Sequence, residues 1–221
     1  MKFGKVAICI SGGIENKADC SHGDVFRKFF STLNNYDVFY FNSAWKPNNY
    51  HVGKDFIYNT YQPKAFKNEE CVKNNYGVYG FELYGTMMAN ELKKRYEIEK
   101  DFRYDLVIKT TWNNPLYTNS MFPAGPLLPR TVYSIEKYSA TESVMNFEHG
   151  VVNDNLYWGD SQSMDIAANL YRTYKFDCLT GSIELLNGKP ADPGVLYFDK
   201  NGLLYNNLVT HNIGIQKVPL W

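Results

Sequence analysis

The chain has 221 residues, enough for one substantial core, and its 23 basic and 23 acidic residues leave no net charge. That balance, with no basic cluster along the chain, excludes the positive field that gathers nucleic-acid backbones. Hydrophobic residues at 44% and charged residues at 21% are those of a globular protein, and the longest apolar runs fall far short of a bilayer span.

Val6 to Ile10 is apolar throughout and runs straight into Ser11-Gly12-Gly13, which predicts a fully buried parallel strand ending in a tight loop. Ser21 and Asp24 are spaced like a capping box, and Phe26, Phe29, Phe30 and Leu33 recur at helical spacing, giving a first helix. Asp37 to Asn42 is a second strand, closed by a loop through Trp45 and Pro47. The stretch from Pro47 to Tyr79 has little periodicity and predicts loops, with room for one short strand and one short helix. A helix follows to about Lys100, with Phe81, Tyr84, Met88, Leu92 and Tyr96 on one face and Lys93, Lys94, Arg95, Glu97 and Glu99 largely on the solvated side. Tyr104 to Thr110 is a central strand that ends in Thr111-Trp112-Asn113-Asn114-Pro115, and polar groups at such a strand end face the ligand crevice of open α/β sheets.

The prolines between Pro123 and Pro129 predict a rigid crossing loop, and Thr131 to Ile135 a strand. Val151 to Trp158 reads as extended up to Gly159, and Ser161 caps a helix whose apolar stripe is Met164, Ala167, Ala168, Tyr171 and Tyr174. Val195 to Phe198 is strand-like, Asn201-Gly202 a turn, Leu203 to Val209 helical, and Ile213 to Val218 a strand. No shift of composition marks a linker, so one domain over residues 1–221 is expected.

The four cysteines are widely spaced, without a Cys-x-x-Cys pair or a histidine at finger-like spacing, which argues against a zinc site or a disulfide scaffold and for a reducing cytoplasm. The amino terminus reads as a first strand, without a signal-peptide cleavage site. Aromatic residues reach 16%, with 18 Tyr and 4 Trp, a supply of amphipathic rings that suits sugar-stacking walls as well as cores. His22, His149 and His211 have no partner at ligand spacing.

Three stretches taken together resemble a family of small viral and bacterial glycosyltransferases with a GT-A fold. The first is Lys5-Val-Ala-Ile-Cys-Ile-Ser-Gly12 with Tyr36-Asp-Val-Phe-Tyr-Phe-Asn-Ser-Ala-Trp45. The second is Ala89-Asn-Glu-Leu-Lys-Lys-Arg-Tyr-Glu97 leading into Tyr104-Asp-Leu-Val-Ile-Lys-Thr110. The third, and the most specific, runs from Asn153-Asp-Asn-Leu-Tyr-Trp-Gly-Asp160 to Tyr171. Their order and spacing cover most of the chain except about 47–76 and 115–147. The resemblance implies an α/β, GT-A-like Rossmann-type sheet, mixed and mostly parallel, flanked by helices. It implies an enzyme that moves a sugar from a nucleotide-diphosphate sugar to a hydroxyl of a glycan, in the cytoplasm, which for a viral protein is the host's.

By position, the resemblance sets Ser11, Gly12 and Gly13 against the donor nucleotide, where a glycine loop allows close backbone approach. Such enzymes carry a strand end like Arg-Thr-Arg-x-Asp, whose basic residues face the diphosphate and whose Asp helps hold a divalent cation. Here the stretch reads Lys109-Thr110-Thr111-Trp112-Asn113, and no Asp-x-Asp occurs anywhere. Lys109, Thr110 and Thr111 stand at the diphosphate, while Asn113 replaces the cation's carboxylate with a neutral, weaker ligand for Mn2+ or Mg2+. Asp154 or Asp160 is the candidate base that takes the acceptor's proton, and each has an alternative, Asp154 as a turn residue and Asp160 as a helix cap. Trp45 and Trp112 at strand ends, with Tyr157 and Trp158, are candidates to stack on donor or acceptor rings, although an aromatic beside a glycine is more often core. The loss at Asn113 leaves a second possibility open: a nucleotide-sugar or glycan binding module with weak or no turnover.

Overall fold

The structure is a computed structural model that describes residues 4–13, 26, 28, 33, 35–44, 50–70, 77–111, 126–135, 156–173, 175–176, 183–184 and 200–218. Its described elements are β1 (Val6–Ser11), β2 (Tyr36–Ala44), α1 (Tyr50–Tyr61), β3 (Ala65–Glu70), α2 (Gly77–Lys100), β4 (Leu106–Thr111) and β5 (Thr131–Ile135). They continue with β6 (Leu156–Gly159), α3 (Ser161–Ala168), α4 (Leu170–Thr173), β7 (Lys175–Phe176), β8 (Ile183–Glu184), α5 (Lys200–Thr210) and β9 (Gly214–Val218).

One seven-stranded sheet takes strands from both ends of the chain in the order β3-β2-β1-β4-β6-β5-β9. The pairs β1–β2, β1–β4, β2–β3 and β5–β9 are parallel, and only β6 runs against its neighbours. β7 and β8 form a small antiparallel pair apart from it. This is the expected α/β, Rossmann-type architecture, a mixed and mostly parallel sheet flanked by helices. β1 lies at its centre and is buried at every position, which is why it reads as an unbroken apolar run and not as an alternation.

Alternate residues of each strand feed two cores. On one face Ile8, Ile10, Tyr40, Ile108 and Trp158 pack against Phe26 and against Ile57 and Tyr61 of α1. On the other, Cys9, Phe39, Phe41, Val107 and Tyr157 pack under α2, α3, α4 and α5. Rings dominate this second layer: Phe39 meets Tyr96 at 5.7 Å and Tyr104 at 5.8 Å, and Phe41 meets Tyr84 at 5.6 Å.

The stretch read as loops with room for one short strand and one short helix holds one of each, β3 and the 12-residue α1. Two local expectations are corrected. Asn201-Gly202, read as a turn, lies inside α5, because Leu204 and Leu208 bury one helical face against the sheet and override the weak helix propensity of the pair. Lys93 and Glu97, assigned to the solvated side of α2, are buried. Leu83, Met87, Asn90, Lys93 and Glu97 recur at the three- and four-residue spacing of the buried stripe, whereas Tyr84, Met88, Leu92 and Tyr96 flank it half-buried. The strand expected at 195–198 and the first helix, beyond Phe26 and Lys28, lie outside the described residues.

Candidate functional site

The strand order turns back at β1, with β2 and β3 on one side and β4 on the other. Ligands in open α/β sheets bind beyond the carboxyl ends of the strands at such a switch point. Ser11 and Thr111 are register partners there, as are Ile10 and Thr110 and, one residue deeper, Cys9 and Lys109. The Ser11–Gly13 loop and the Thr110–Thr111 strand end therefore share one edge of the sheet.

The detail of that edge differs from a simple phosphate cradle. Gly12 has φ 124°, a conformation that favours glycine, and its N–H donates to Phe41 O at 3.3 Å. Its carbonyl accepts from Tyr40 Oη at 3.4 Å. The Ser11 hydroxyl lies 3.5 Å from Thr86 Oγ1, buried beneath α2, where Gly85 brings the helix against the Ser11 and Phe41 side chains. Lys109 is buried as well, its ammonium 5.4 Å from the centre of the Tyr157 ring. Lys109 and Tyr157 line a narrow cavity with Glu82, Leu83, Thr86 and the α3–α4 residues Ala167, Ala168 and Leu170.

The remaining candidates separate. Trp158 is 0% exposed and stacked on Tyr133, with ring centres 6.2 Å apart and planes 9° from parallel. It belongs to the core and offers no face to a sugar. Asp160 is also placed away from the edge. It is the N-cap of α3, accepting from Ser163 N at 2.9 Å and from Ser163 Oγ at 2.7 Å. Because β6 is antiparallel, Gly159 pairs with Val107 while Leu156 pairs with Thr110, so the chain reaches Asp160 at the amino edge of β4. There Asp160 lines an open groove with Gly4, Asp105, Arg130 and Gln162. Along the strand this is about 15 Å from Thr111, which disqualifies Asp160 as the base for chemistry at the carboxyl edge. Asp154, Trp45, Trp112 and Asn113 lie outside the described residues. Among the described residues no cluster of His, Cys, Asp or Glu could hold a metal ion.

Two polar groupings escaped sequence reasoning. Lys93 Nζ, 0% exposed, donates to Ser161 Oγ at 2.6 Å and to Asp165 Oδ1 at 2.8 Å, and lies 3.2 Å from Glu97 Oε2. Ser161 Oγ and Tyr104 N donate to Glu97 Oε1 at 2.6 and 2.9 Å, and Arg103 joins both carboxylates. Burial pushes the Asp165 carboxyl up, but Lys93, Asn90 and Arg103 outweigh it and hold the group below its ordinary value. The Cys9 thiol beside this network is pushed up to about 12 by desolvation, Lys93 opposing and the carboxylates adding, so it is an inert core residue. The i,i+4 spacing of Lys93 and Glu97 was the available signal. The second grouping lies at the carboxyl edge of β2 and β3. Tyr84 Oη donates to Glu69 Oε1 at 2.9 Å, and Lys67 Nζ lies 2.9 Å from Glu69 Oε2.

No protein-family model matches the chain, and no curated protein matches it. Among solved structures it is similar to a nucleoside-diphosphate-sugar pyrophosphorylase from Vibrio cholerae RC9, at 9% identity and a TM-score of 0.46, over 97% of this chain and 91% of that one. So distant a likeness leaves the functional argument to the residues of this chain. No helix among the described residues is long and apolar enough to cross a membrane.

Proposed function

We propose that the chain binds a nucleoside-diphosphate sugar across the carboxyl ends of β1 and β4 and transfers the sugar to a hydroxyl of a glycan acceptor. The observation that carries this is the register pairing of Ser11 with Thr111 at the point where the strand order reverses, the position where open α/β sheets seat nucleotides. The order of the three resembling stretches along the chain supports the same assignment. The loop at Gly12 and Gly13 contacts the nucleotide, and Thr111 faces the diphosphate, whereas Thr110 is buried with its hydroxyl donating to Thr111 O. Lys109 supplies positive charge that favours the departing diphosphate, an effect that grows when water is excluded. Proton removal from the acceptor needs a carboxylate at this edge, and of the two expected from sequence only Asp154 is still a candidate.

Calorimetric titration with UDP- and GDP-sugars, with and without manganese, tests donor binding, and release of free sugar or nucleoside diphosphate tests turnover. Saturable binding of one donor, with turnover lost in Asp154→Ala but binding kept, is the expected result. No binding by any donor contradicts the proposal. One observation favours the second reading, a binding module without turnover: the Lys109 ammonium lies under the helical layer beside Tyr157, and the Gly12 N–H is already engaged by Phe41. Donor binding with no turnover under any metal would select it.

A further inference from the structure

α2 follows β3 in the chain and runs back along the sheet from its carboxyl edge. Thr86 Oγ1 stands 3.5 Å from Ser11 Oγ at the end of β1, while Lys93 and Glu97 meet Ser161 and Tyr104 toward the amino edge. Glu82, one turn before Thr86, therefore stands about 6 Å further out, beyond the strand ends. It is exposed. It also lines the cavity at Lys109, together with Tyr157 and the small residues Ala167 and Ala168 of α3. The free volume there is about 10 Å³, the room of about one water.

The chemistry of that space is specific. Lys109 and Glu82 are the two charged groups among its described lining residues, the ammonium a donor only and the carboxylate an acceptor only. An apolar group would leave the buried ammonium facing carbon, and an anion would meet the Glu82 carboxylate. A single hydroxyl accepts from the one and donates to the other. Its place along the edge says whose hydroxyl. The strands run β2-β1-β4-β6 across this part of the sheet, and the donor proposed above lays its nucleotide at Gly12 and Gly13 and its diphosphate at Thr111. Lys109 is the register partner of Tyr157 on β6, and its ammonium is 5.4 Å from the centre of that ring. The cavity is thus next along the edge after the diphosphate, as the sugar is next along the ligand.

We propose that this cavity is a slot for one hydroxyl of the transferred sugar, with Glu82 at its mouth as the specificity-determining carboxylate. The ring stays outside, over the edge of the sheet, and one of its hydroxyls enters. This rests on the donor site proposed above and adds the part of the ligand by which that site selects among donors. A site built to hydrogen-bond a hydroxyl rejects the analogue that lacks it, because the site's polar groups are then left unpaired.

The test is calorimetric titration of the whole chain, and of Glu82→Ala and Ala168→Val, with UDP-glucose, UDP-galactose and GDP-mannose and with the monodeoxy forms of their sugars. The wild type binds one of the three about tenfold or more tighter than one of its monodeoxy forms. Glu82→Ala removes the acceptor and Ala168→Val fills the slot with methyl groups, and each brings that ratio to about one by weakening the parent sugar nucleotide. Because Glu82 is exposed, Glu82→Ala leaves the unliganded melting temperature unchanged, and this separates loss of the slot from loss of the fold. Equal affinity for a sugar nucleotide and all its monodeoxy forms overturns the slot while leaving the donor site standing. A deoxy penalty that survives either substitution puts the recognised hydroxyl elsewhere and overturns it as well. Absence of binding by every nucleotide sugar overturns the donor site and the slot together.

Discussion

Single side chains at the two edges of the sheet have opposite roles. Asp160 was legible in the sequence both as a cap and as a base, and the antiparallel run of β6 decides between them by carrying it to the amino edge. Asp160→Ala is expected to cost about 1 kcal/mol of stability, measured by denaturant unfolding, with nucleotide affinity unchanged. Gly159, beside it, admits no side chain, because a Cβ there would stand 2.8 Å from the carbonyl oxygen of Thr131 on the neighbouring strand. Gly159→Ala must therefore move β5 away from β6. A lower unfolding midpoint, with faster amide exchange in those two strands, checks this. Lys109→Met keeps the length of the buried side chain and removes its charge. Weaker donor binding at an unchanged fold, read by calorimetry and circular dichroism, is the expected outcome. Trp158 illustrates the limit of sequence reasoning at this scale: ring size and a glycine neighbour cannot tell a stacking wall from a core position, whereas its alternation with Tyr157 across the sheet does.

Among the elements, α2 holds the two halves of the molecule's second face together. Its buried stripe places Lys93 and Glu97 against Ser161 and Asp165 of α3, while its preceding turns bring Leu83 and Thr86 to the cavity at Lys109. The i,i+4 spacing of Lys93 and Glu97 was the one trace of this pair in the sequence; the aromatic residues beside the stripe drew the helical face too far round. Glu97→Gln leaves the buried Lys93 with Asp165 as its remaining carboxylate, so it is expected to cost about 2 kcal/mol, the worth of a buried charge-assisted hydrogen bond, measured by urea denaturation. The sign of the pH dependence follows from Asp165. Its carboxyl is held below the ordinary aspartate value of 3.8, so its contribution is complete above that value and is lost as pH falls through the lower folded value. Asp165→Asn is less stable at neutral pH and loses stability less steeply between about pH 4 and pH 2. An acid titration of the unfolding free energy of both proteins shows whether the two slopes differ in that direction.

At the level of the whole molecule, the sheet was the most legible feature. Continuous apolar runs located β1, β2 and β4, with the glycine pair after β1 and the polar, proline-closed ends of the other two marking where they stop, because fully buried parallel strands need no alternation. The order of those strands was not written in any run of residues. It emerges from pairings between segments far apart in the chain, and it is the order that makes the carboxyl edge of β1 and β4 a switch point. The candidate edge was accordingly legible in part: the glycine-ended run of β1 and the polar end of β4 stand in the sequence, whereas the pairing of Ser11 with Thr111 appears only once the strands are in register. What remains to be measured is whether this edge seats a nucleoside-diphosphate sugar, as proposed. Thermal unfolding followed across a panel of nucleotide sugars tests it most directly, since a ligand that binds only the folded chain raises the melting temperature with its concentration. A concentration-dependent rise is expected with one donor, reduced in Lys109→Met and unaffected in Asp160→Ala; an unchanged melting temperature with every nucleotide sugar would overturn the donor site.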